Sequence, residues 1–183
     1  MAYQATILRL RKAINTTFND INTFFALSEA EVVYRPDKET WSIAQILEHI
    51  SLTSHFLMIT LKQSRDKVLR RAKTQAIPEG ESRLDRIMLI SDPDAFAWVH
   101  PTHMTPSDTV DLSIIRATIQ EQKATCLQIL EDISNGEGAL HRVRMSVQEL
   151  GKLDMYEWLF FLIEHAKRHI TEMRRLQTIY KSQ

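Results

Sequence analysis

The chain has 183 residues, with Lys+Arg and Asp+Glu at 23 each and a formal net charge of zero, which argues against a strongly basic nucleic-acid binder. It holds four Gly and five Pro where average usage would give roughly 22 of the two together. That scarcity argues against a turn-rich β-sandwich or a Gly-rich nucleotide fold, and the apolar fraction of 44% suffices for a core, so disorder is not expected.

Long helices with few connections are the economical reading. The first is expected from about Ala2 to Leu27, where Leu10, Ile14, Phe18, Ile21 and Phe25 recur at three- and four-residue spacing. Ser28 to Trp41 breaks the pattern, and Arg35-Pro36-Asp37 reads as loop. A second helix begins at Ser42, where Ser42 and Gln45 have capping-box spacing. Its stripe is Ile43, Ile46, Leu47, Ile50, Leu57 and Leu61, and it should end before Pro78. The Pro78–Pro106 stretch carries four of the five prolines and shows at most a turn at Leu84 to Ile90. A connection of this length is functional or spans the domain.

A third helix fits about Ser107 to Ser134, with Asn135-Gly136 as its stop. A fourth follows Gly151, capped by Asp154 with Glu157, and runs to about Tyr180. The expectation is an all-α chain: one domain over residues 1–183, a four-helix bundle in up-down-down-up order, with a long crossover between helices two and three. Met1 to Lys12 has no signal-peptide stretch, and the longest apolar run is Trp158 to Ile163, far short of the roughly 20 residues a span needs. A cytoplasmic protein without membrane or nucleic-acid partners is the expectation.

A lone cysteine, Cys126, excludes a disulfide framework and a multi-cysteine zinc site, so among seven histidines imidazole must carry any metal chemistry. His165 and His169 sit four apart on the fourth helix, on one face. They share the stripe Trp158, Leu162, His165, His169, Met173 and Leu176, which should point inward. A buried imidazole needs a polar partner. A divalent ion supplies one; carboxylates or water supply the other reading that spacing allows. The pair is not a zincin helix, because Ala166 rather than Glu follows His165. His49, one turn past Ile46, is the natural third ligand, though on spacing alone it also suits a core or rim histidine. Ligation would require the imidazole nitrogens to converge within about 3–4 Å of one another.

The segment Trp41-Ser42-Ile43-Ala44-Gln45-Ile46-Leu47-Glu48-His49-Ile50, together with Gly151 through Trp158 to His165-Ala166-Lys167-Arg168-His169, resembles the two signatures of the DinB-like superfamily. The resemblance covers the second and fourth helices; the first and third agree by position and amphipathicity. It implies a three-histidine site of His49, His165 and His169 for a divalent metal, zinc or nickel foremost. It also implies a small-molecule substrate, with a low-molecular-weight thiol such as bacillithiol, mycothiol or glutathione as cosubstrate of a transferase, or water in a hydrolase. A binding protein without turnover is the alternative, and homodimers are common among such proteins. Where many relatives carry Gln three residues after the last ligand, this chain has Glu172, either a partner for a ligating imidazole or a solvent-facing side chain.

The remaining candidates read as ordinary. Glu48 and Glu164 each precede a cluster histidine and point about 100° away from it, so they are expected outside the metal centre. Cys126 reads as core, His100 and His103 as solvated loop residues, and His55 and His141 as lacking any partner at ligand spacing. Trp41 reads as a core anchor with a pocket-lining role open to it. The Lys62 to Lys73 charge run reads as a solvated helix end, and Phe24, Phe25 and Leu27 as core cover or a subunit contact.

Overall fold

A computed structural model describes residues 3–107, 109 and 111–183. Among these are five α-helices: α1 (Gln4–Phe24), α2 (Glu29–Val33), α3 (Ile43–Arg71), α4 (Leu112–Asp132) and α5 (Met155–Lys181). Strands β1 (Val143–Met145) and β2 (Gly151–Leu153) pair antiparallel, with Arg144 opposite Lys152. Short 3-10 helices cover Leu84–Ser91, Thr102–Met104, Glu137–Leu140 and Val147–Glu149.

The all-α, up-down-down-up four-helix bundle expected from the sequence is therefore corrected. A fifth α-helix occupies part of the segment read as loop, and a β-hairpin precedes α5. Both were invisible for the same reason. Five residues of helix and three of strand are too short to display a hydrophobic period. Helix α2 instead rests on its cap: Ser28 Oγ accepts from the Glu31 amide at 3.3 Å, and Glu29 and Glu31 lie in its first turn, where acidic groups are favoured.

The long helices begin where their caps put them. The Ser42 hydroxyl accepts from Gln45 N at 3.2 Å while the Gln45 side chain accepts from Ser42 N at 2.8 Å. Asp154 and Glu157 exchange the same pair of bonds, both at 2.9 Å. Helix α4 starts later than expected, with Asp111 as its cap; the expected start at Ser107 runs through positions 108 and 110, which lie outside the described residues. Helices α1 and α3 each pack against both α4 and α5, and one hydrophobic core runs from Tyr3 to Leu176.

Helix α5 is buried without a break from Met155 to Ala166. The cause is an extra layer: the Leu84–Ser91 3-10 helix lies along α5 and presents Leu84, Ile87 and Ile90 to the core. Their spacing of three matches three residues per turn. The unbroken Trp158–Ile163 apolar run is thereby explained as a helix covered on several sides. Among the described residues no helix is long and apolar enough to cross a membrane.

The base of α5 carries a polar knot. Asp154, 1% exposed, accepts from Ser82 Oγ at 2.8 Å. Arg86 pairs with Glu157 and donates to the carbonyls of Leu150 and Lys152, tying the crossover to the hairpin. Burial pushes the Asp154 carboxyl up to about 6. A carboxyl whose folded value is raised adds stability that is full below the unfolded value near 3.8 and lost as pH rises through about 6. Wild type measured against Asp154→Asn, which keeps a capping oxygen, should lose up to about 3 kcal/mol of relative stability between pH 4 and 7. Urea midpoints across that range check this, and a pH-independent difference contradicts it.

Candidate metal centre

His49 comes from the second turn of α3, just past the Ser42 cap, and His165 and His169 from successive turns of α5. Contact between α3 and α5 brings the three together. All are buried, at 2%, 4% and 8% exposure. Their ring centroids are 4.5 Å apart for His165–His169, 4.7 Å for His49–His169 and 5.3 Å for His49–His165. One ring nitrogen from each lies within 4.8 Å of the others, a cluster that can hold a metal ion. The expected convergence within 3–4 Å is met by the Nε2 atoms of His165 and His169, 3.1 Å apart, whereas the full set is bounded only by the wider figure.

Hydrogen bonds decide which nitrogen faces inward. His49 Nδ1–H donates to the Met104 carbonyl at 2.7 Å, and His169 Nδ1–H donates to Glu172 Oε2 at 2.7 Å. Each Nε2 is then an acceptor nitrogen, and that of His169 takes the His165 Nε2–H at 3.1 Å. Burial, followed by the mutual repulsion of the rings and of Arg168, holds His165 and His169 well below the usual imidazole range, and burial also lowers His49. Three neutral imidazoles at pH 7 with nitrogens facing one another are the donor chemistry of a divalent ion. In a tetrahedral site at 2.0–2.1 Å the nitrogens would stand about 3.3 Å apart, so the 3.1 Å pair fits.

Glu172 bonds His169 through one carboxylate oxygen while its side chain stays partly exposed. Burial raises its pKa, against the pull of Arg168. Glu48 and Glu164 stand away from the cluster. Glu48 accepts from Ser107 N and Oγ at 3.0 and 2.8 Å and so pins the end of the crossover; Glu164 pairs with Lys167 at 2.6 Å. Cys126 is fully buried, and burial pushes its thiol up to about 12, so it is packing, not a nucleophile.

The cluster opens onto a cavity of about 480 Å³. Trp41 is half-buried against the core and also lines this cavity, its ring tilted against those of His49 and His100 at centroid distances of 5.0 and 4.9 Å. His100, a half-buried loop residue, also lies on the cavity wall, 5.2 Å from His49. His55 and His103 are exposed and His141 half-buried, away from the cluster.

Sequence reasoning missed Arg168. It is 6% exposed and donates to the carbonyls of Asp92, Pro93 and Phe96 at 2.6, 3.0 and 3.0 Å. Its guanidinium lies over Phe96 and Trp98 and stands 3.7 Å from Glu172. One side chain thus folds the crossover over the site and steadies the carboxylate that holds His169. The available signal was an arginine on the inward face of an apolar helix, where an unpaired charge is not tolerated.

Residues 13–173 match the model of the DinB superfamily. The chain belongs to the DinB superfamily. No curated protein and no solved structure matches it.

Arg168→Met removes the donors of three loop carbonyls and should destabilise the protein by about 2–4 kcal/mol. Amide exchange over residues 92–104 should accelerate beyond the global loss of stability. Exchange that rises only in step with global unfolding would show that Arg168 does not hold the crossover.

Proposed function

We propose that the protein is a metal-dependent transferase or hydrolase. His49, His165 and His169 hold one divalent ion, zinc or nickel, beside a small-molecule cavity. The carrying observation is the meeting of three buried, neutral imidazoles at the wall of that cavity. Three protein ligands leave a fourth position open, the pattern of catalytic rather than structural sites.

When bound, such an ion lowers the pKa of a thiol or water and polarises an acceptor group. The chain's residues do the rest. Glu172 and the Met104 carbonyl hold the Nδ1 protons of His169 and His49 and orient the rings. Arg168 keeps Trp98 and its loop against the site. The aromatic walls lower the polarity beside the cluster, which strengthens charge interactions there. A reacting thiol must arrive as a low-molecular-weight cosubstrate, because Cys126 is sealed in the core.

Purified protein should carry about one divalent ion per chain by elemental analysis. His49→Ala, His165→Ala and His169→Ala should each abolish or strongly reduce it. Full retention in any two of the three variants would overturn the shared site. Glu172→Ala should weaken metal affinity by about 10- to 100-fold through the loss of its bond to His169, read from competition with a chelating dye. Metal-loaded protein should consume bacillithiol, mycothiol or glutathione with an electrophile, or hydrolyse an ester or amide. No turnover in any of these assays would assign the site to binding alone.

A further inference from the structure

Helices α1 and α4 leave a second, smaller hollow between them, with a volume of about 160 Å³. Its floor includes Phe18 and Ile119, both buried. Its rim is polar and holds no carboxylate among the described residues. Arg116, Gln120 and Lys123 stand on the rim at four- and three-residue spacing along α4, so they share one helix face. Asn19 and Asn22, three apart on α1, stand opposite them. None of these residues lines the histidine cavity.

The two cations of this rim meet neutral partners. Lys123 Nζ donates to Asn19 Oδ1 at 2.9 Å, and Arg116 Nε donates to Asn22 Oδ1 at 3.2 Å. Elsewhere on α1, cations reach carboxylates: Arg9 pairs with Asp85 at 2.7 Å, Arg11 with Glu131 at 2.6 Å and Arg174 with Asp20 at 3.2 Å. The terminal N–H groups of Arg116 and the remaining ones of Lys123 have no partner among the described residues. The Asn19 and Asn22 oxygens already accept charged donors, and each amide carries N–H groups besides. The rim is therefore rich in donors and carries two positive charges that nothing on it neutralises.

The spacing suits a particular acceptor. Side chains one turn apart on a helix have Cβ atoms about 5–6 Å apart, so the two asparagines hold the cationic heads at a separation of that order. A tetrahedral oxyanion accepting at about 2.7–2.9 Å from each side bridges such a gap. A dianion matches the two charges, and its oxygens point in enough directions to meet donors from both helices. A planar carboxylate has one charge and two oxygens. Phe25 lies under the Arg116 guanidinium at 6.0 Å and holds it in place before anything binds.

We propose that this hollow binds a phosphoryl group, either inorganic phosphate or the terminal group of a small phosphate monoester. Arg116 and Lys123 bridge its oxygens, and the side-chain amides of Asn19, Asn22 and Gln120 complete the donor set. The volume lies below the roughly 300 Å³ of the smallest ordinary ligand pockets, so the site reads the phosphoryl group and leaves the body of a monoester in solvent. It stands apart from the histidine cluster, and either reading can fail without the other.

The test uses full-length 15N-labelled protein at constant ionic strength. Titration with inorganic phosphate should shift the side-chain amide signals of Asn19, Asn22 and Gln120 saturably, with a Kd at or below about 1 mM. Asn15 and Asn135, which lie outside the hollow, should stay still. Phosphate bound at the histidine cluster would shift the ring signals of His165 and His169 instead, so the two sites are read separately. Arg116→Gln and Lys123→Gln should each weaken binding by about 10-fold, and the double variant should lose it. Arg9→Gln, which removes an exposed cation elsewhere, should leave it unchanged.

Glycerol 3-phosphate binding within a few-fold of inorganic phosphate assigns the site to monoesters, and its exclusion assigns the site to free phosphate. Four results overturn the proposal: no saturable shift up to about 20 mM phosphate, the same shift with chloride at equal ionic strength, unchanged phosphate affinity in the double variant, or acetate bound as tightly as phosphate.

Discussion

Two hydrogen bonds from imidazole Nδ1 atoms set the character of the site: His49 to the Met104 carbonyl and His169 to Glu172. Each decides a tautomer, and the tautomer decides which nitrogen faces the other rings. The bond from His49 also couples α3 to the crossover, because Met104 belongs to that segment. The orientation of the His49 ring therefore depends on where the crossover lies.

The crossover is secured from three directions. Arg168 grips its middle through three carbonyls, Glu48 grips Ser107 near its end, and Arg86 binds its start to the hairpin and to Glu157. All three use charge-assisted hydrogen bonds, which are roughly twice as strong as neutral ones. Two of these side chains, Glu48 and Arg168, immediately precede a cluster histidine. The residue that presents a cluster nitrogen and the residue that fastens the cover are neighbours on the same helix turn. Adjacent helical side chains point about 100° apart, so one turn can serve the cluster and the cover together.

The cavity completes this division of labour. Its wall gives mostly apolar surface, the cluster gives three converging imidazoles, and the charged groups on the wall are engaged in holding the structure.

Much of this was legible before folding. The stripes of α1, α3, α4 and α5, the capping boxes at Ser42 and Asp154, and the inward placement of His165 and His169 follow from helical periodicity and cap chemistry, which are local. Even the triplet Leu84, Ile87 and Ile90 carries the spacing of its 3-10 helix. Helix α2, the hairpin, the cavity wall and the partners of Arg168, Glu172 and His100 had no comparable signal. Each depends on contacts between residues far apart in sequence: Arg168 with Asp92, His49 with Met104, His100 with Trp41. A side chain's own sequence neighbourhood determines whether it faces inward. Which group it meets there depends on how the long crossover lies across the helices, and only packing in three dimensions decides that.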